Sequence, residues 1–568
     1  MRIAIVGGGP SALFMFKRFV DAADKRFDIE IFEKQQHVGI GMPYGPKGAS
    51  DEHITNVSGN EIPDLPNELT KWIKNLPQTI VEKYGIDADS FNAYKVLPRL
   101  LFGQYLATQF DLLKQQAAKE TINTTLHYGT TVTDIKDYPE KNIVDVEFDN
   151  RTLEFDFVVI CIGHTWPLKY EPSVPGYFDS PYPPEKIKIS VNFPVAIRGA
   201  SLTAIDAVRT LARQNGTFSK DNQGMIHFAK AESSNSFKVM MHSRNGLLPA
   251  IRFHLEDSHL SKDSVLSKKE VEEIKTLNEG FLPLDYVFDK NFKDPLKEND
   301  PDFYAIIKDM MMEDFVSAVM NIREKIPPFE LFKAEYEEAE KSIRRRESVY
   351  WKEMLAVLSF TMNYPAKYFS AEDMLRLQKV LMPLISVVIA FVPQTSVEEM
   401  LALHRAGVLD LLAVGEESDV TPEPTGGATY SFTDESNQKI SNHYKLFIDC
   451  IGQPHLSFDE LPFKSMVTSK TVSAAKLKFR NAAKGGEEMK KENSRVIKDS
   501  AGNYFLRVPG ITINDYFQVV DETGNANYRI FMMAVPYIGG FNPDYSGLDF
   551  CEAASAKVYE KLKKSYSC

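Results

Sequence analysis

At 568 residues, with 43% hydrophobic and 25% charged side chains, the chain has the balance of a globular protein, and at roughly 100–200 residues per domain it holds two to four domains. Its formal net charge of −12 argues against a general nucleic-acid or anionic-membrane binder. The longest apolar run, Val380 to Pro393, is too short for a bilayer and carries an internal proline, so no membrane span is expected.

The run Ile3 to Val6 is short, apolar and largely β-branched, and reads as a buried strand. Gly7, Gly8, Gly9, Pro10, Ser11 and Ala12 follow, and then a helical pattern sets Leu13, Phe16, Phe19 and Val20 on one face. Strand, tight turn and helix in this order fit the G-x-G-x-x-G/A dinucleotide fingerprint. Gly7 permits the turn, Gly9 lets a pyrophosphate approach the backbone, and Ala12 lets the helix pack on the strand. The helix N-terminus offers N–H groups to phosphates. A second strand within "FDIEIFEK" runs to Glu33 and Lys34, where the Glu33 carboxylate can take the hydroxyls of an adenosine ribose.

The glycine- and proline-rich "GIGMPYG" and "HITNVSGNEIPDLP" mark a long structured loop, and "VLPRLLFGQYLATQFDLL" reads as an amphipathic helix. Alternating segments from Thr125 to Phe155 suggest a small antiparallel meander. It leads into "FDFVVICIG", a buried parallel strand ending at Gly163.

A second unit begins near Lys188. "FPVAIRGASLTAIDAVRTLA" repeats the strand, turn and helix, with Gly199, Ser201, Leu202 and Thr203 at the turn. Its next strand ends in Ser243 and Arg244, where an NAD-specific site carries an acidic residue. An arginine there can pair with a 2′-phosphate and select NADPH, or it can form a salt bridge at a domain edge. From Ser261 to Ala413 the chain is mainly helical and charged. Strands resume in "ATYSF" and "HYKLFIDCIG", and "SAAKLKFRNAAKGGEEMKKENSR" is polar and expected to be exposed. The last region reads as a strand, a Gly/Pro/Asn loop and a terminal helix.

An apolar strand ending in Ile-Gly closes each half, so the pattern is duplicated, which suggests a flavin fed by a nicotinamide. The expected fold class is α/β, with two nested Rossmann-like dinucleotide-binding domains for FAD and NADPH and a mainly helical insertion. The expected limits are 1–185 and 456–568 for the FAD domain, 186–260 and 416–455 for the NAD(P) domain, and 261–415 for the insertion.

Several side chains carry two readings each. His164 lies past the first nucleotide strand and fits either the flavin mouth, beside substrate, or a backbone-satisfied histidine. Phe541 and Tyr545 fit a substrate pocket or loop packing. Asp206, on the second fingerprint helix, fits a cap or a domain-interface pair better than catalysis, and His404 fits a structural role. The four cysteines form no C-x-x-C pair, and their sparse usage fits a reducing, cytoplasmic setting. The glycines that break the N-terminal strand argue against a signal peptide. No metal-ligand cluster, Ser-His-Asp order or Walker A lysine stands out.

Taken in order, "IVGGGPSAL", "GIGMPYG" with "HITNVSG", "LPRLLFGQYL", "VICIGHTWP", "GASLTAIDAVRTL", "SRNGLLP", "LALHRAGVL" and "GGFNPDYSGL" form a recognisable set. The chain resembles the FAD–NAD(P)-binding family of two-dinucleotide-binding-domain flavoproteins, related to flavin N-hydroxylating monooxygenases. The resemblance implies that Gly7, Gly9 and Ala12 hold the FAD pyrophosphate and Glu33 its adenosine ribose. It implies that Met42, Pro43 and Tyr44 run beside the flavin and that Asn56 lines the ring. Arg99 would help hold FAD phosphates, Val132 would contact adenine through main chain, and Gly163 would close the first domain near the cofactor. Gly539, Gly540 and Asn542 would set backbone donors near the pyrimidine end of the isoalloxazine.

Two departures stand out. Ser201 replaces the second glycine of the second fingerprint, and "FDSPYP" lacks the histidine that Baeyer–Villiger enzymes carry nearby. The function implied is an FAD-dependent NAD(P)H oxidoreductase. It would be a monooxygenase that uses molecular oxygen to hydroxylate a small amine-type nucleophile through a flavin C4a-hydroperoxide. A reductase or dehydrogenase without oxygenation, or a non-catalytic flavin-binding sensor or scaffold, are the alternatives.

Overall fold

In the computed structural model, which describes residues 1–255, 266–363, 365–434, 436–452, 455–543 and 547–564, strand Arg2–Val6 is buried over Ile3 to Val6 and lies inside a six-stranded sheet. Its order is Gln518–Val520, Ala526–Met532, Phe157–Ile160, Arg2–Val6, Asp28–Glu33 and Thr124–Tyr128. Every pairing is parallel except that of Gln518–Val520 with Ala526–Met532. The C-terminal region thus completes the sheet that the N-terminus begins. Unbroken apolar runs such as Phe157–Ile160, buried at every position, suit a parallel sheet covered on both faces.

A second, all-parallel five-stranded sheet has the order Tyr177–Phe178, Phe447–Asp449, Pro194–Arg198, Lys238–Ser243 and Leu409–Ala413. The strand Leu409–Ala413 is a correction to the helical insertion expected over 261–415. Parallel pairing with Lys238–Ser243 draws it into the second sheet. Helix Gln394–Arg405, just before it, buries Val397, Met400 and Leu403 in the core of that sheet. The remaining helices of the insertion, from Lys268–Leu277 to Met382–Val388, pack largely into one core with the first sheet. Inside the insertion, Glu335 accepts from Arg323 at 2.7 Å and from Lys352 at 2.9 Å. Burial raises its proton affinity, but the two cations outweigh that and hold its carboxyl below the usual range.

The polar stretch after Ser473 is also corrected. Ala474–Lys478 is a strand paired with Tyr504–Ile511, and Ala482–Lys490 is a helix. Ala475, Leu477 and Phe479 alternate inward at period two beneath the lysines that dominate the composition.

Each sheet ends on a glycine for the same steric reason. Gly7 has φ +100° and Gly199 φ +112°. A Cβ on Gly7 would lie 2.7 Å from the Cys161 carbonyl oxygen, and one on Gly199 would lie 2.7 Å from that of Cys450. Gly7→Ala and Gly199→Ala are each expected to cost about 1–3 kcal/mol from this backbone conflict. Urea denaturation measures it, and unchanged midpoints would contradict the constraint.

Beneath the second turn, His242 is fully buried, stacks on Tyr430 at 4.2 Å and bonds the Ile197 carbonyl at 3.2 Å through Nδ1. Burial lowers its pKa to about 4. The folded protein therefore binds fewer protons here than the unfolded chain, so this contribution is complete above about pH 6.5 and is lost as pH falls toward 4. Between pH 7.5 and 5.5 the loss is about 1 kcal/mol. In His242→Phe, which keeps an aromatic ring on Tyr430, that share of the pH dependence is expected to vanish. Parallel stability–pH curves for the two proteins would contradict it.

Candidate functional site: two glycine turns and the contact between their domains

Gly9 is the N-cap of helix Pro10–Asp21, and no side chain caps this end. A Cβ on Gly9 would meet only Gly41, at 3.4 Å, so among the described residues no neighbour forbids a side chain there. The open face of the turn therefore presents the first-turn N–H groups of Ser11 and Ala12 to whatever approaches. Glu33 closes one flank. It accepts from the Gly8 N–H at 2.6 Å and the Gln35 N–H at 2.7 Å, leaving further lone pairs for hydroxyl donors. Lys34 is exposed beside it. Val132 follows Gly129 and Thr130, whose N–H groups bond the Gln35 and Glu33 carbonyls, so the meander edge is tied to the end of the second strand.

The "GIGMPYG" loop folds over this turn. The Gly39 N–H bonds the Gly8 carbonyl at 2.7 Å. Met42 and Tyr44 are half-buried and Pro43 is exposed. Tyr44 packs on Phe102 at 5.0 Å, and burial pushes its hydroxyl up to about 12. Gly163 is exposed just past the Cys161 strand end.

The C-terminal helix Gly547–Lys564 runs alongside helix Pro10–Asp21 in the same direction. Ser11 Oγ lies 3.4 Å from Cys551 Sγ, Phe19 meets Tyr559 at 5.4 Å, and the Tyr559 hydroxyl donates to Asp24 at 2.9 Å. Both helix N-termini thus lie at one end of the first sheet. The loop after Met532 starts there too, because the Met533 N–H bonds the Ile160 carbonyl at 2.8 Å.

In this loop the donors differ from expectation. The Gly540 N–H is committed to the Pro509 carbonyl at 2.8 Å, and the Asn542 N–H to the Ile538 carbonyl at 2.9 Å. A Cβ on Gly540 would overlap Val508 and the Pro509 carbonyl, so packing on the neighbouring strand requires that glycine. A donor left over is instead the Asn542 side chain, whose Nδ2 is buried with no hydrogen-bond partner among the described residues. Phe541 is buried in the main core. Tyr545 lies outside the described residues.

The second turn is built like the first. Ser201 is the exposed N-cap of helix Leu202–Asn215 and its hydroxyl makes no capping bond, leaving the first-turn N–H groups of Leu202 and Thr203 available. Ser243 carries a buried Oγ without a partner, and Arg244 is exposed, with no ion pair among the described residues. Beside them, Arg198 reaches Asp449 at 3.4 Å, and burial raises the Asp449 pKa.

The two halves meet at a polar domain contact. Arg99 Nη1 bonds Asp206 Oδ2 at 2.5 Å, and the Tyr182 hydroxyl donates to the same oxygen at 3.0 Å. Burial pulls the Asp206 carboxyl upward, but Arg99, His53 and Arg209 outweigh it and hold the pKa below the usual range. Asp206 is therefore an interface pair, and its partner is the arginine expected at FAD phosphates. Nearby, His53 Nε2 lies 3.0 Å from Thr210 Oγ1, which donates to Glu52 at 2.6 Å. Arg252, from the second domain, bonds the Asn56 carbonyl, Ser58 and Glu61.

Sequence reasoning missed Trp166 and His455. Trp166 packs on Tyr182 at 5.1 Å and toward His164 at 6.5 Å, and His455 neighbours His164. Burial lowers both histidines to about 4, so both are neutral near pH 7. The signal for Trp166 and His455 was positional, since each follows the last strand of a sheet before the chain crosses between domains.

The uncapped Ser11 and Ala12 donors, the open side of Gly9 and the Asn542 Nδ2, without a partner among the described residues, suit a dinucleotide whose far end carries a ring with hydrogen-bond acceptors. Residues 4–165 match the FAD-NAD(P)-binding family model, and residues 267–389 match that of the YdhS-like middle domain. The chain is 28% identical over 472 residues to the uncharacterized protein YdhS of Escherichia coli strain K12, covering 82% of this chain and 85% of that protein. It is also 28% identical over 184 residues to trimethylamine monooxygenase of Roseovarius sp. strain 217, covering 31% of this chain and 38% of that protein. The ornithine N-hydroxylase of Kutzneria sp. 744 aligns over 99% of both chains at 11% identity, with a TM-score of 0.46. The first domain is thus similar to FAD-NAD(P)-binding domains, and a segment similar to the YdhS-like middle domain is inserted between strands Lys238–Ser243 and Leu409–Ala413 of the second sheet.

Proposed function

We propose that the protein oxidises NADPH at the second glycine turn, reduces FAD held at the first, and delivers oxygen to a small amine-type nucleophile. The observation that carries this is the duplication. Two glycine turns of the same build, each under a cysteine carbonyl and each opening an uncapped helix, are joined across one buried ion pair. The relative named as a trimethylamine monooxygenase supports the oxygen-transfer half. FAD would supply the redox chemistry when bound. The chain's own residues hold its pyrophosphate at Gly7, Gly9, Pro10, Ser11 and Ala12, its ribose at Glu33, and its ring end at Asn542. Gly199, Ser201, Leu202 and Thr203 hold the nicotinamide pyrophosphate, with Ser243 and Arg244 at the 2′-phosphate. His164 and Trp166 face the substrate as uncharged groups and keep water from the reacting ring.

The visible spectrum of the purified protein, followed by anaerobic titration with NADPH, tests the reading. Bleaching of a flavin band supports it, and a bound flavin that no nicotinamide reduces refutes it. Oxygen uptake that rises with an added amine separates oxygenation from simple reduction.

Gly9→Val is expected to yield colourless or nearly colourless protein, because the side chain fills the face a pyrophosphate must reach. Full flavin occupancy in that variant would remove the first turn from the site.

Arg244→Ala is expected to raise KM for NADPH about 10- to 100-fold, the worth of one charge-assisted contact, and to leave KM for NADH nearly unchanged. Steady-state kinetics with both cofactors decide it, and equal effects would exclude the 2′-phosphate role.

A further inference from the structure

Two residues of the second crossover grip the loop after Met532. The Leu456 N–H bonds the Pro536 carbonyl at 2.9 Å. His455 hydrogen-bonds the Pro543 backbone at the other end of the loop. Between these ends, a Cβ built on Gly539 would fall inside the His455 ring, so only glycine lets the imidazole lie against that backbone. The loop is thus held at its start, middle and end from outside. The chain that holds it has just left strand Phe447–Asp449 of the second sheet.

The same loop carries Asn542, which is 2% exposed and whose Nδ2 has no partner among the described residues. The Asn542 main-chain N–H bonds the Ile538 carbonyl, so the direction of the carboxamide follows the loop backbone. Small loop shifts are costly for such a donor, since hydrogen bonds weaken steeply when bent below about 120°.

We propose that His455 is a positioning residue of the flavin site: reaching over from the second domain, it sets the 536–543 loop and thereby aims the Asn542 carboxamide. This rests on FAD occupying the first turn. A reduced flavin carries negative charge at its pyrimidine end, and a fixed donor there favours the reduced form over the oxidised one. His455 thus acts on the flavin's redox balance through Asn542, without touching the reacting atoms.

The full-length protein loaded with FAD tests it through His455→Ala and His455→Asn, with circular dichroism and thermal melting to verify the fold. Asparagine keeps a polar group able to donate to the Pro543 carbonyl. His455→Ala is expected to bind FAD about 10-fold more weakly and to show a more negative flavin midpoint potential, since the reduced form loses most; His455→Asn is expected to recover part of both. If the alanine variant does not fold, His455→Asn and His455→Gln carry the comparison, with smaller shifts of the same sign expected. Wild-type affinity and potential in the substituted proteins would overturn the inference and leave the FAD assignment standing. Equal losses in the alanine and asparagine variants would assign the effect to packing on Gly539 and overturn it as well. A wild-type protein that takes up no FAD would overturn both.

Discussion

A peptide carbonyl occupies the place where a side chain would stand, once in each half of the molecule. The Cys161 oxygen does this beneath Gly7 and the Cys450 oxygen beneath Gly199, each 2.7 Å from where a Cβ would be. The strands that end just before these cysteines pair in parallel with the strands that end just before the glycines. The Cys161 N–H bonds the Val6 carbonyl at 2.7 Å, and the Cys450 N–H bonds that of Arg198 at 2.8 Å. The chain can leave the sheet only through a glycine at positive φ, and that exit aims the following helix with its N-terminus over the strand ends. A small apolar residue suits the place beneath. Burial pushes both thiols well above their ordinary pKa, so they pack as inert side chains.

The contact between the halves is polar, which is unusual for so buried a surface. Arg252 is 4% exposed and Asp206 4%, and each is met by a group of opposite charge from the other half. Removing ions from water costs several kcal/mol each, and an apolar contact of the same area would be at least as stable. Directional bonds from Arg252 to the Asn56 carbonyl, Ser58 and Glu61, and from Arg99 to Asp206, do what apolar packing does not: they select one angle between the sheets.

Both turns and both sheets were legible in the sequence because their determinants are local. A β-branched run, a glycine pattern and a helical stripe fall within twenty residues of each other at Ile3–Val20, and again at Val195–Leu211. Strand Leu409–Ala413 was not, since its charged residue Asp410 and its helical prelude carry no sign of the sheet it joins about 170 residues after its partner. The lysine-rich stretch after Ser473 hid its strand because period-two burial needs only Ala475, Leu477 and Phe479. At the site, backbone donors were expected at Gly540 and Asn542, but those N–H groups close the loop on Pro509 and Ile538. Sequence shows which residues a loop contains; where their hydrogen bonds go depends on a strand that packs against them from elsewhere in the chain.

The polar contact and the crossovers answer one requirement under the proposed function. Hydride passes between two rings only when they approach to about 3–3.5 Å, and a misplacement of about 1 Å costs on the order of 100-fold in rate. Each ring would hang from a different glycine turn, so their separation inherits every error in the angle between the sheets. A long lever needs a stiff joint. Arg99 ties the start of the helix Arg99–Lys119 to the second turn of the second fingerprint helix, and His455 ties the second crossover to the loop after Met532. Both ties lie near the turns themselves, where a given slip moves the rings least. The same logic accounts for the placement of the insertion. Its helices share a core with the first sheet, while helix Gln394–Arg405 closes on the second through Glu399, which bonds Arg209 at 2.8 Å and Arg213 at 2.7 Å. The insertion therefore packs against both of the halves that Arg99 and Asp206 join.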